Sequence, residues 1–152
     1  MNILGASGPR PMFPALAKTY PQGTEWAYLL LRLTAGLMLL AHVWPKLMAG
    51  PAAVAANVMT RRGVEPALAA AYVAIILEVL GLVCITLGLF TRAVALLLVL
   101  EFIVIIKTHL TMQGWGGPGG AEYPFLWFVV YIFIMMRGGG KYSVDAMLGK
   151  EI

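Results

Sequence analysis

Residues 66–110 read PALAAAYVAIILEVLGLVCITLGLFTRAVALLLVLEFIVIIKTHL. Two apolar runs stand out, Pro66 to Phe90 and Arg92 to Leu110. Each approaches or exceeds the roughly 20 residues that a membrane-spanning helix needs. Only Thr91 and the charged Arg92 part them, so the link is a tight turn and the two helices are antiparallel neighbours. Each run carries a glutamate at its centre, Glu78 in the first and Glu101 in the second, and Lys107 and His109 lie near the exit of the second.

Upstream, Trp26 to Trp44 is apolar apart from Arg32, Thr34 and His42 and reads as a first span. Pro45 is expected to end it, because the residue before a proline disfavours helix. Downstream, Tyr123 to Met136 reads as a shorter fourth span, opened by Pro124 near a first helical position and closed by Arg137 and three glycines. Trp26, Trp44, Trp115, Tyr123 and Tyr142 fall near span ends, where amphipathic rings favour the interface. Composition agrees: of 152 residues 61% are hydrophobic and 12% charged, against about 45–50% and about 25% in soluble domains. The sequence leaves no room for a soluble domain of any size.

The remaining segments are connectors. Met48 to Gly63 is alanine-rich, ends in Arg61 and Arg62, and is too polar and short to span; an interfacial helix is expected. Met112 to Glu122 is dominated by glycine around Pro118 and must be a loop. Residues 1–25 hold Pro9, Pro11, Pro14 and Pro21 without an apolar h-region, so they read as a surface tail and not as a cleaved leader. The expected architecture is an all-α integral membrane four-helix bundle, with spans at about 26–44, 66–90, 92–110 and 123–136. An interfacial helix would lie between spans 1 and 2.

The net charge of +4 comes from scattered lysines and arginines, without the dense basic face of a nucleic-acid binder. The single cysteine, Cys84, excludes an intramolecular disulfide and a CxxC pair. With four spans both termini share a side. That side collects Arg10, Lys18, Arg92, Arg137, Lys141 and Lys150, against Lys46, Arg61, Arg62 and Lys107 on the other. The positive-inside bias therefore favours cytoplasmic termini.

Ionisable groups in hydrocarbon usually face the bundle interior and mark a functional path. Span midpoints place Arg32, Glu78 and Glu101 at one depth, and a buried charge network is expected there, with Glu78 the partner of Arg32. The plain reading of such a pair is structural. It leaves one carboxylate over, free to bond a ligand, His42 or a proton path. His42, Lys46 and His109, with Glu101, are the candidate hydrogen-bonding set for a quinone head group. His42 and His109 are also a minimal pair for haem b, a reading two residues alone barely support, and no metal site is expected. There is no G-x-S-x-G, no H-E-x-x-H and no P-loop lysine, so hydrolytic chemistry finds no foothold. Gly36, Gly81 and Gly88 fall within spans, where small residues let helices approach closely.

Residues 27 to 148 resemble the DoxX family of small four-span bacterial and archaeal membrane proteins. The similarity is carried by Arg32-Leu33 with Gly36, then Ala41-His42-Val43-Trp44-Pro45-Lys46-Leu47, like the family's R-L…G…H-G-x-x-K-L. Glu78-Val79-Leu80-Gly81 and Leu87-Gly88-Leu89-Phe90-Thr91-Arg92 resemble its E-x-x-G…L-G-L-x-T-R. From His109 the likeness continues through the glycine-rich loop to Glu122-Tyr123-Pro124. Gly138-Gly139-Gly140-Lys141-Tyr142-Ser143-Val144-Asp145 then resembles its G-x-G-x-x-S-x-D ending. Val43 and Gly139 depart from the glycine and proline frequent at those positions.

The resemblance implies a DoxX-like membrane domain over 26–148 in a bacterial or archaeal cytoplasmic membrane. It implies a redox-associated subunit, related to the small subunit of thiosulfate:quinone oxidoreductase, that binds quinone or quinol and works with a membrane or peripheral redox protein. No covalent cofactor is implied, and no reaction is assigned. A homo-oligomer is compatible with it. The alternative is a non-catalytic structural subunit of a larger membrane complex. Transport through the Glu78 and Glu101 layer ranks lower, because one four-span chain leaves little room for alternating access.

Overall fold

The computed structural model describes residue 13 and residues 19–149, and every regular element among them is helical. Helix α1 is Tyr20–Ala49. Helix α2 covers residues 51–62 as an α turn (Pro51–Val54), a π turn (Ala55–Met59) and a 3₁₀ turn (Thr60–Arg62). Helix α3 is Ala67–Ile85, its last turn a π turn at Gly81–Ile85. Helices α4 (Thr91–Gln113), α5 (Glu122–Arg137) and the short α6 (Val144–Leu148) follow. Among the described residues, α1, α3 and α4 are long and apolar enough to cross a membrane. Large apolar side chains such as Leu30, Ile76 and Leu100 cover their outer faces, and Leu126 does so on α5. In water so much exposed apolar surface would aggregate; in hydrocarbon it is solvated.

Two boundaries differ from the sequence reading. The expected end of span 1 at Pro45 is wrong, since α1 runs through Pro45 to Ala49. Proline removes one intrahelical bond, but neighbouring helices make this tolerable in a spanning helix, and Val43 and Lys46 on either side are held by packing and by an ion pair. Residues 1–12 and 14–18 of the expected tail lie outside the described residues, while Tyr20 to Glu25 form the first turns of α1. Helix α5 has 16 residues, a rise of about 24 Å against a hydrocarbon core of about 30 Å.

The core has two parts. Tyr28, Ala35 and Leu39 of α1 meet Ile85, Leu98 and Val99 together with Tyr131 and Ile134 of α5. Val43 meets Val54, Ala55 and Met59 of α2 and Ala71, Ala74 and Ile75 of α3. Glycines set the register between the helices. A Cβ at Gly36 would overlap Thr86 Oγ1 and lie 2.7 Å from the Thr86 nitrogen, and one at Gly81 would lie 2.5 Å from Leu39 and 3.0 Å from Leu98. The α3–α4 turn is locked from both sides. Gly88, at φ +71°, lets the chain turn where a Cβ would run into Arg32 Nη1; it lies just past α3 and not within a span.

Around this turn, charge is matched to helix ends. Arg32, only 1% exposed, donates to the Ile85 carbonyl at 3.3 Å and to the Tyr142 carbonyl at 2.5 Å. It thereby places a cation at the C-terminal end of α3, the negative end of the helix dipole. Asp145 accepts from the Phe90 and Thr91 amides at 2.8 and 3.0 Å and from the Thr91 hydroxyl at 2.7 Å. That carboxylate satisfies orphan donors at the N-terminal end of α4. Arg92 in turn donates to the Met135 and Met136 carbonyls at 3.1 and 2.7 Å, closing the end of α5.

Candidate functional site

At the other end of the bundle, helices α1 to α5 enclose a cavity of about 670 Å³. Its walls are largely apolar, and the polar groups that reach it are few: His42 and Lys46 from α1, Arg62 from α2, Glu78 from α3, and Glu101, Thr108 and His109 from α4. Because α1 continues past Pro45, His42 and Lys46 stand one turn apart on the same face. The aromatic wall comes from α5 through Tyr123, Trp127 and Tyr131. The Tyr131 hydroxyl is occupied, donating to the Ala35 carbonyl at 2.9 Å.

Lys46 Nζ forms an ion pair with Glu78 Oε1. The Glu78 side chain is 6% exposed and that of Lys46 23%, so the cation sits on the more open side of the pair. The pair leaves Glu78 Oε2 buried without a hydrogen-bond partner, and Glu101 Oε2 is in the same condition. Buried acceptors are costly to leave unsatisfied. Two of them on one small cavity therefore favour an occupant with hydrogen-bonding capacity. His109 Nδ1 lies 2.8 Å from the Ile105 carbonyl. Since a carbonyl only accepts, Nδ1 carries the proton, and Nε2 is the nitrogen left for a ligand.

The structure thus brings His42, Lys46, Glu78, Glu101 and His109 to one cavity and puts Arg32 elsewhere. The expected Arg32–Glu78 pair is replaced by Lys46–Glu78. The register of α1 on α3 explains the error, because their midpoints do not lie at one level. The Gly36–Thr86 contact sets the middle of α1 against the end of α3. Arg32 therefore meets the Ile85 carbonyl, about 10 Å of helix rise from Glu78.

Sequence reasoning missed Arg62 and the α5 aromatics as wall residues. An α2 helix packed on α3, and not merely tangent to it, was the feature needed to find the first. Among the described residues, no cluster of three or more histidine, cysteine, aspartate or glutamate side chains could hold a metal ion.

A family model described as DoxX matches residues 27–113 of the chain. No curated protein and no solved structure matches it. The matched region holds Arg32, both cavity glutamates, both histidines and Lys46.

Proposed function

Because the chain belongs to the DoxX family, a family associated with membrane redox systems, we propose that it binds quinone or quinol in this cavity and serves a partner oxidoreductase. One observation carries the reading: a cavity of about 670 Å³ with apolar and aromatic walls, lined by two glutamates that each hold one buried carboxylate oxygen without a partner, beside a lysine. Ligand pockets of a few hundred to about 1,000 Å³ with few convergent polar groups are the usual form of small-molecule sites. A quinol offers hydroxyls to Glu78 Oε2 and Glu101 Oε2, and a quinone offers carbonyls to a protonated donor. Both present a flat ring to Trp127. His42, Lys46, Glu101 and His109 are the proposed head-group contacts, with haem b disfavoured and no metal invoked.

The experiment is extraction of lipid-soluble compounds from protein purified in mild detergent, followed by mass analysis. Quinone should be recovered near one equivalent from the wild type, and Glu101→Gln and His42→Ala should each lower retention about tenfold, the loss of one good hydrogen bond to a charged group. A wild-type chain that stays folded and carries none, even when quinone is added in excess, would leave the structural-subunit reading in its place.

The proposed topology has four spans, with α5 as the fourth, α2 at the outer interface and both termini cytoplasmic. Single cysteines at Ala6 and Gly117, in a Cys84→Ser background, report it. Only Gly117→Cys should react with an impermeant maleimide added outside intact cells, and outside labelling of Ala6→Cys would reverse the orientation.

A further inference from the structure

The cavity is not closed on its lateral side. At the turn end, α3 and α4 are in tight contact, since a Cβ on Gly81 would sit 3.0 Å from Leu98. One turn further along each helix come Glu78 and Glu101, and around and beyond them both helices line the cavity, through Val73 and Leu77 on α3 and Leu97, Leu100 and Val104 on α4. Val73, Leu100 and Val104 belong to the cavity wall and yet are 53%, 52% and 47% exposed. Half-exposed wall residues are what a cavity that reaches the outer surface shows. Both helices are of spanning length and apolarity, so the surface reached is one that faces hydrocarbon.

We infer that the cavity is loaded sideways from the bilayer through the cleft between α3 and α4, by an amphiphile whose polar head stops at Glu78 and Glu101 while its tail stays in the cleft and the lipid. The inference rests on the quinone reading and adds the route, the orientation and the requirement for a tail. Two observations fix the orientation. Glu78 and Glu101, each with an unsatisfied carboxylate oxygen, stand one turn from the Gly81–Leu98 contact that closes the cleft, where a head group would stop. Every side chain named at its mouth is aliphatic, which suits a hydrocarbon chain and offers no polar group a partner. Volume gives a third argument. About 670 Å³ suits a ligand of drug size, so a head group with a long isoprenoid tail overfills it and must leave part of the tail outside. Sideways entry also spares the ligand a passage through water.

The test uses the full chain in lipid nanodiscs and two probes, a decyl-substituted benzoquinol and the same head group without a tail. Val73→Trp and Val104→Trp narrow the mouth without touching the head-group contacts. Ile76→Trp places the same bulk on an exposed face of α3 that does not line the cavity. The mouth variants should weaken the decyl probe at least about tenfold and leave the tail-less probe unchanged, and Ile76→Trp should alter neither. Unchanged binding of the decyl probe to the combined Val73→Trp/Val104→Trp protein overturns the side entrance while leaving the quinone site standing. Failure of both probes to bind the wild type removes the quinone reading itself. A readout without substitutions is a diazirine at the end of the decyl tail. Labelling that excess unlabelled decyl probe suppresses should map to 70–77 and 97–104, and suppressible labelling on α5 instead would place the exit elsewhere.

Discussion

Arg32→Ala should remove most of the folded, detergent-extractable protein, and Arg32→Lys should restore only part of it. The guanidinium is buried and cannot shed its proton, and its planar fork reaches two carbonyls contributed by separate segments, Ile85 at the end of α3 and Tyr142 beyond α5. Alanine leaves both carbonyls without that donor and opens a void where the chain crosses closest, at Gly88. Stranding a buried acceptor costs about 1–3 kcal/mol, so two acceptors and the void together take a large share of the roughly 5–15 kcal/mol that holds a domain together. Lysine keeps the charge but cannot bridge two acceptors in a fixed plane. Asp145→Ala acts on the same turn from the other side, stranding the Phe90 and Thr91 amides and the Thr91 hydroxyl, and should behave alike. Monodisperse yield and thermal melting in a single detergent decide the matter. Wild-type yield and melting for Arg32→Ala would mean that the turn is held by something else.

That turn shows which parts of the molecule were legible in the sequence. The apolar runs gave the spanning helices directly, because hydrocarbon admits only long runs whose backbone bonds are satisfied internally. What the runs could not give was the sliding register of one helix on another. Depth counted from span midpoints put Arg32 beside Glu78; the actual register depends on Gly36 meeting Thr86, a contact between positions that look unremarkable alone. The family-like motifs were visible as strings, but their meaning is spatial. Arg32, Leu87 to Arg92 and Ser143 to Asp145 converge on one locked turn, while His42, Lys46, Glu78 and His109 converge on the cavity.

The candidate site was legible in its members and not in its pairing. His42, Lys46, Glu101 and His109 could be chosen because polar groups in apolar spans are costly and few. The partner of Glu78 could not, because it hung on whether α1 stops at Pro45. Proline statistics say that it stops, and packing of Val43 and Lys46 carries it onward for another turn. The wall supplied by α2 was out of reach for a similar reason, since its tertiary contacts through Val54, Ala55 and Met59 leave no periodic signature in so short a segment.

Lys46, Glu78 and Glu101 should separate stability from ligand handling. Lys46→Ala strands the Glu78 carboxylate inside the bundle and should cost about 3 kcal/mol, at the lower end for a broken buried pair because the lysine side chain keeps 23% exposure. Glu78→Gln, which keeps the shape and removes the charge, should cost less than Lys46→Ala, because what remains unpaired is the lysine, on the more open side. The double variant Lys46→Ala/Glu78→Gln should recover most of the loss, since replacing both members of a pair leaves neither charge stranded, and the cycle returns a coupling of at least about 1 kcal/mol between the two positions. Glu101 has no pair to lose, so Glu101→Gln should melt within about 1 kcal/mol of the wild type, as substitutions that strand no buried charge generally do, while releasing bound quinone. Melting curves and quinone content measured on the wild type and the four variants test both halves together. Additive losses across the cycle would show that Lys46 and Glu78 are not a pair, and a Glu101→Gln protein that melts early and keeps its quinone would make Glu101 a structural residue rather than a ligand contact.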